Sequence, residues 1–152
     1  ERLHAAVFCA TSSYMGPGNL WQHRIDTARA GGMESVSDGT LERWFTPDYH
    51  STHSLEISKI REMIHATPVD GFAGCCIAIK DMDQRETIKN IDLPVLVIAG
   101  AEDPGTTPAM NKLIADSIPG AEYVELPASA HFCNVQAADG FNTALADFLS
   151  KH

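Results

Sequence analysis

Pro94-Val95-Leu96-Val97-Ile98-Ala99-Gly100, followed by Ala101-Glu102-Asp103-Pro104-Gly105-Thr106-Thr107-Pro108, decides the fold of this 152-residue chain. The first seven residues are rich in β-branched side chains and end on glycine, which predicts a buried strand. The next stretch is polar and holds a carboxylate. Thr107 followed by Pro108 then predicts a helix start, because threonine can cap the free N–H groups of the first turn and proline suits the first helical position. Met110, Leu113, Ile114 and Ile118 form the apolar stripe of that helix, and Pro119-Gly120 stops it.

Working outward, residues 122–126 read as a further strand. Residues 136–150 read as an amphipathic helix with Phe141, Ala144, Leu145, Phe148 and Leu149 on one face. Upstream, residues 3–10 are a short, nearly continuous apolar run that suits a strand buried on both faces. Between the first strand and the second the pattern is helical. Asn19 can cap a helix carrying Leu20, Trp21, Arg24, Ile25 and Ala28, which ends at Gly31-Gly32. A second helix runs to Trp44 and is closed by Thr46-Pro47. Ser54 opens a third with Ile57, Ile60 and Ile64, stopped by Pro68, and a fourth begins near Asp70 with Phe72, Cys76 and Ile79 on one face. The order of strand, helical insertion, strand, helix, strand, helix predicts an open parallel α/β sheet, because parallel strands need a crossover and the usual crossover is a helix. Three strands alone make a poor sheet of that type. The helical insertion is too small to bury itself well and reads as a lid. The expected organisation is a core strand in 1–13, a helical cap in 14–88 and the C-terminal part of the core in 89–152.

In open α/β sheets functional groups collect in the loops beyond the carboxyl ends of the strands. The loop after Gly100 offers Asp103. The loop after Leu126 reads Pro127-Ala128-Ser129-Ala130-His131-Phe132-Cys133-Asn134, with one histidine among small residues. His131 could act as a general base and Asp103 could orient it. Taken singly, an aspartate after a strand is more often a turn or capping residue, and a loop histidine more often a surface residue. Asp48, His50 and His53 resemble metal ligands only loosely, having no cysteine partner and no second cluster, so solvated residues of a polar connection are favoured and no metal is expected. Cys75 and Cys76 lie in an apolar helix with no neighbouring base to lower a thiol pKa, so packing is favoured over nucleophilic chemistry. The four cysteines form no C-x-x-C pair or spaced framework, and reduced, buried thiols are expected. Trp21 and Trp44 can both line a pocket beneath a lid, though tryptophans in a small lid more often form its core; Trp21 is taken as the substrate-binding candidate.

Composition narrows the function classes. The chain is 44% hydrophobic, which suits a globular domain, and carries 20 acidic against 11 basic residues for a net charge of -9. Nucleic acid and anionic membrane are therefore disfavoured as partners. No apolar run approaches the roughly 18–20 residues of a membrane span, and no signal stretch is evident, so a cytoplasmic protein is expected. The chain opens on Glu1 rather than Met and enters an apolar stretch within three residues, as though something preceded it.

The pattern Gly100-Ala101-Glu102-Asp103 with Thr107-Pro108, then Ala128-Ser129-Ala130-His131 and a final amphipathic helix, resembles the acid and base loops of α/β-hydrolases. The acid precedes the base by 28 residues, in the chain order Ser, Asp, His of that fold. Residues 15–85 resemble the cap of the 3-oxoadipate enol-lactonases, notably Glu42-Arg43-Trp44-Phe45-Thr46-Pro47 and Gly71-Phe72-Ala73-Gly74-Cys75-Cys76. One departure is clear: no G-x-S-x-G occurs, and no serine stands between glycines on a strand-to-helix turn. The resemblance implies hydrolysis of an enol-lactone, without metal or organic cofactor, by a serine from outside this sequence together with His131 and Asp103. The expected partners are a small lactone or ester and the remaining N-terminal half of the same fold. Other capped hydrolases (an esterase, a carbon–carbon bond hydrolase, a haloperoxidase-like protein) and a catalytically dead binding module are the alternatives.

Overall fold

In the computed structural model, which describes residues 3–152, the stretch Val95–Gly100 forms strand β2, and every one of its six residues is buried. It is the middle of a three-stranded parallel sheet, flanked by β1 (Ala6–Cys9) and β3 (Glu122–Leu126). The register pairs Ala6 with Val95 and Leu96 with Glu122. A strand presents alternate residues to opposite faces, and β2 divides accordingly. Leu96 and Ile98 pack with Leu126, Cys133 and Phe148 on one face. Val95 and Val97 pack with Ile88, Ile114, Ala115 and Ile118 on the other. Burial on both faces is why β2 carries an unbroken apolar run rather than an alternating one.

Five helices lie in the sequence between β1 and β2: α1 (Gly18–Gly31), α2 (Glu34–Trp44), α3 (Pro47–Thr52), α4 (Ser54–His65) and α5 (Val69–Lys80). A 3-10 turn at Thr87–Asn90 precedes β2. Helix α6 (Pro108–Ser117) connects β2 to β3, and α7 (Cys133–Gln136) and α8 (Ala138–Leu149) end the chain. Thr107 caps α6 as expected, its hydroxyl accepting from the Met110 N–H at 3.4 Å, with Pro108 at the first turn.

Several local expectations are corrected. Pro17, not Asn19, stands at the N-cap of α1, and Asn19 lies inside the first turn. The polar connection holding Asp48, His50 and His53 is largely a helix, α3, started by Pro47. His50 there hydrogen-bonds the Leu41 carbonyl at 3.0 Å, and the His53 ring stacks on Tyr49 at 4.0 Å. Among the described residues no group of three or more His, Cys, Asp or Glu side chains gathers to hold a metal ion. The C-terminal helix expected over 136–150 is α8, and the loop before it holds a further short helix, α7, separated from α8 by Ala137, whose backbone (φ -122°, ψ 46°) leaves the helical region. The first strand is shorter than the apolar run 3–10, with Leu3 exposed. Residues 1 and 2 of the expected core segment lie outside the described residues. Cys9 and Cys75 are exposed rather than buried, while Cys76 and Cys133 are buried, and all four thiols are free.

The chain forms two compact units. The described part of the strand-bearing unit comprises residues 3–13, Arg43–Thr46 and Gln84–His152; the helical unit comprises Tyr14–Glu42 and Pro47–Asp83. Two stretches read from sequence as cap therefore belong with the sheet. Residues 84–88 do so because Ile88 is buried against Val95 and Val97. The reason for Arg43–Thr46 lies at the site described below. The helical unit has a core of its own: α1 packs on α5 through Trp21, Ile25, Ala73 and Cys76, with Met15, Phe72 and Ile79 around them. Arg61 of α4 ties to Ser37 and Asp38 of α2, and a short antiparallel bridge between Tyr14 and Asp83 closes the unit where the chain enters and leaves it. Among the described residues no helix is long and apolar enough to cross a membrane.

Candidate active site

The loops leaving β1, β2 and β3 meet at the carboxyl end of the sheet, and backbone bonds set how they meet. Ala101 N–H donates to the Leu126 carbonyl at 2.9 Å, and Glu102 N–H donates to the Ser129 carbonyl at 2.9 Å. These bonds lay the loop after β3 directly on the end of β2. Gly100 is what permits the approach: a Cβ there would fall 2.1 Å from the Ala130 carbonyl oxygen. From the β1 side, Thr11 N–H donates to the Asn111 side chain at 3.0 Å. Asn111 is fully buried and its amide donates in turn to the Thr106 and Thr107 carbonyls at 2.8 and 3.1 Å.

Asp103 sits inside this junction, 2% exposed, with its carboxylate held from both sides. Oδ1 accepts from the backbone N–H groups of Gly105 (2.8 Å) and Thr106 (3.0 Å). This is the local turn an aspartate makes with the N–H groups just ahead of it, here assisted by Pro104-Gly105. Oδ2 accepts from the Thr106 hydroxyl at 2.6 Å and lies 2.8 Å from His131 Nδ1. An ionised carboxylate can only accept, so Nδ1 carries the hydrogen and the lone pair of His131 is on Nε2. Burial alone would push the Asp103 pKa up. Hydrogen bonds from His131 and Thr106, and the attraction of the His131 ring, outweigh it and hold the carboxyl below its ordinary value of 3.8.

A lowered native pKa has a stability consequence with a definite sign. The unfolded carboxyl binds protons more readily than the folded one, so Asp103 stabilises the fold fully above pH 3.8 and loses that contribution as the pH falls through the folded value. Acid titration of unfolding free energy should show wild type losing stability in this window more steeply than D103N. Parallel curves would count against the hydrogen-bonded carboxylate.

His131 is partly exposed, its side chain at 31%. Its loop is pinned to the segment Arg43–Thr46. Phe132 N–H donates to the Trp44 carbonyl at 2.9 Å, and the Trp44 ring stacks on Phe132 (4.3 Å between centroids) and lies 6.2 Å from the His131 ring, near-parallel at 26°. Gln136 completes the clamp. Its amide donates to the Thr46 hydroxyl and the Ala128 carbonyl, and its oxygen accepts from the Ala130 and Thr46 N–H groups. Ala128 takes a left-handed backbone (φ 51°), an uncommon state for alanine that this clamp holds in place. Ser129, fully buried, donates to the Leu126 carbonyl at 2.9 Å.

Of the residues singled out from sequence, Asp103 and His131 are brought together. Trp21 belongs to the helical unit, where it is 9% exposed, donates to the Met15 carbonyl at 3.3 Å and carries the Arg24 guanidinium over its ring at 4.7 Å. Trp44, the less favoured tryptophan, is the one beside His131. Sequence reading passed over Thr106, Asn111 and Gln136. Only Thr106 had a local signal, the Asp-x-x-Thr spacing over a Pro-Gly turn. Cys133 follows His131 closely but is no nucleophile in its resting state: burial, then the nearby Cys9 and Asp103, push its thiol up to about 11, so it stays protonated at neutral pH.

Comparison with known proteins gives the following. No family model matches the chain. It is 32% identical over 151 residues to 3-oxoadipate enol-lactonase 2 of Acinetobacter baylyi, covering 99% of this chain and 56% of that protein. The crystal structure of the enol-lactonase from Burkholderia xenovorans superposes with a TM-score of 0.95 at 36% identity, over 98% of this chain and 57% of that one. A hydrolase from Pseudomonas aeruginosa superposes with a TM-score of 0.92, also at 36% identity, over 97% and 56%. The chain thus spans about half the length of the relatives it matches.

Proposed function

We propose, given that this chain belongs to the α/β-hydrolase superfamily, that it supplies the acid and the base of a Ser-His-Asp hydrolase acting on an enol-lactone. The reaction is conversion of 3-oxoadipate enol-lactone to 3-oxoadipate, in the degradation of aromatic compounds. The observation that carries the reading is the 2.8 Å contact from His131 Nδ1 to a buried Asp103, made between the loops that leave two adjacent parallel strands.

A serine outside this sequence attacks the lactone carbonyl while His131 Nε2 takes its proton. Asp103 keeps the ring in the Nδ1–H tautomer and stabilises the imidazolium that forms. Collapse of the tetrahedral intermediate breaks the ring C–O bond, His131 returns the proton to the departing enol oxygen, and the enol becomes a ketone. Water deprotonated by His131 then releases the acid. No step calls for a metal or an organic cofactor. The substrate carries a carboxylate and the chain is net negative, so a local cation is required, for which Arg24 and Arg43 are the candidates within this chain. The reading also takes the protein to be cytoplasmic and to act on small molecules rather than on nucleic acid or membrane.

Trp21 is the proposed apolar substrate contact of the helical unit. Trp21→Phe should raise KM several-fold with little change in kcat, as expected when binding is lost equally from ground and transition states. An unchanged KM with a lowered melting temperature would assign Trp21 to the helical core alone.

The deciding experiment is to read the complete coding frame around this sequence, express its product and compare kcat/KM for enol-lactone and for simple aryl esters. Preference for the enol-lactone is expected, with a G-x-S-x-G serine in the added sequence. Preference for the ester would replace the substrate assignment with a general esterase. Ligand binding with no turnover, and no such serine, would favour a binding module derived from a hydrolase.

A further inference from the structure

The Thr106 hydroxyl lies within hydrogen-bond distance of both members of the acid–base pair: 2.6 Å from Asp103 Oδ2 and 3.1 Å from His131 Nδ1. A hydroxyl has one hydrogen and two lone pairs. The shorter contact, to an acceptor-only carboxylate, takes the hydrogen. A lone pair is then left facing the Nδ1–H. That hydrogen consequently has two acceptors, Oδ2 at 2.8 Å and the threonine oxygen at 3.1 Å.

The threonine is not free to leave this position. It is 4% exposed, its own N–H is bound to Asp103 Oδ1, and its carbonyl accepts from Asn111, which is fully buried and anchored to Thr11. As a β-branched residue it has few χ1 states to choose from. Among the described residues no buried side-chain nitrogen or oxygen lacks a hydrogen-bond partner, so the hydroxyl fills a place in a satisfied network.

We propose that Thr106 is a positioning residue of the acid–base pair, its hydroxyl holding the Nδ1 proton on His131 by donating to Asp103 Oδ2 and sharing the Nδ1–H. Two effects follow. A donor on Oδ2 draws charge from the oxygen that faces the imidazole, which makes it a weaker proton acceptor. A second acceptor beside it fixes the plane of the ring, and so the direction of the Nε2 lone pair. Thr106 touches no reacting atom and acts only through Asp103 and His131. The inference rests on the reading of those two residues as acid and base.

Proton NMR of the 15N-histidine-labelled protein tests it, with the His131 Nδ1–H resonance identified by its loss in H131Q. In T106V, which keeps the branched shape and removes the hydroxyl, the Nδ1–H···Oδ2 bond shortens and the resonance moves downfield. In T106S, which keeps the hydroxyl, the resonance stays at or near the wild-type position. With enol-lactone as substrate, kcat falls about 10-fold or more in T106V, the cost of one charge-assisted hydrogen bond, and T106S restores most of it. A T106V resonance at the wild-type position overturns the proposal. If T106V does not fold, T106A is judged by the same criterion. The resonance is read without turnover, so its outcome is independent of whether enol-lactone is the substrate.

Discussion

Asp103→Asn is expected to lower kcat by about 10⁴-fold while leaving the protein folded, on the precedent of the serine-protease triad, where the same change reverses the histidine tautomer. The geometry says why it should do so here. Oδ1 accepts from two backbone N–H groups, those of Gly105 and Thr106. The asparagine oxygen must stay there, because turning the amide would set N–H against N–H. Its NH₂ group then takes the place of Oδ2, facing His131 Nδ1 and the Thr106 hydroxyl. A donor in that place forces Nδ1 to accept, moves the ring proton to Nε2 and removes the base. Steady-state kinetics with the product of the complete coding frame, alongside thermal unfolding, make the check. A fall of less than about tenfold would mean that Asp103 does not set the tautomer.

Gly100→Ala should damage both stability and activity. The added Cβ would stand 2.1 Å from the Ala130 carbonyl oxygen and 2.7 Å from that of Ser129. Both atoms are backbone, so no rotamer change can relieve the overlap. The loop must move by ~1 Å, a displacement that can cost on the order of 100-fold in rate when it carries a catalytic group. The move also loosens the Glu102-to-Ser129 and Ala101-to-Leu126 backbone bonds. Overpacking of this kind typically costs about 1–3 kcal/mol, or roughly 2–12 °C in melting temperature for a chain of this size. Gly74→Ala is the control: it lies in helix α5, a Cβ there meets nothing within 4 Å, and alanine is the better helix former. Wild-type kcat and melting temperature in G100A would show that the approach of the two loops is not what places His131.

The strands, and helices α1, α2, α4 to α6 and α8, could be read from sequence because their signals are local. β2 announces itself because both of its faces are buried, so that every position is apolar or small. Thr107-Pro108 marks the start of α6 because capping involves residues three apart. Helix α3 was missed because it has only six residues, too few to show a period. Helix α7, with four residues, is likewise too short to show a period.

The site divides in the same way. Asp103 and His131 could be picked out because each lies in the first loop after a strand, where an open sheet gathers its functional groups. Trp21 and Trp44 cannot be ranked from sequence, because an apolar helix face says that a residue is covered without saying by what. The structure gives Trp21 a helical core and gives Trp44 the ring of Phe132. Gln136 reaches Thr46 across 90 positions and Thr11 reaches Asn111 across 100, and no spacing rule spans such distances.

The sequence by itself determined the parallel α/β architecture, the helical insertion and the two loop residues, Asp103 and His131, that the fold brings together, because hydrophobic period, turn chemistry and capping act within a few residues of one another. Only the tertiary structure decided that Thr106 stands between those two residues, that Asn111 and Gln136 hold their loops, and that Arg43–Thr46 belongs with the sheet rather than with the helices around it. Those assignments depend on hydrogen bonds and ring contacts between segments that become neighbours only when the strands have paired.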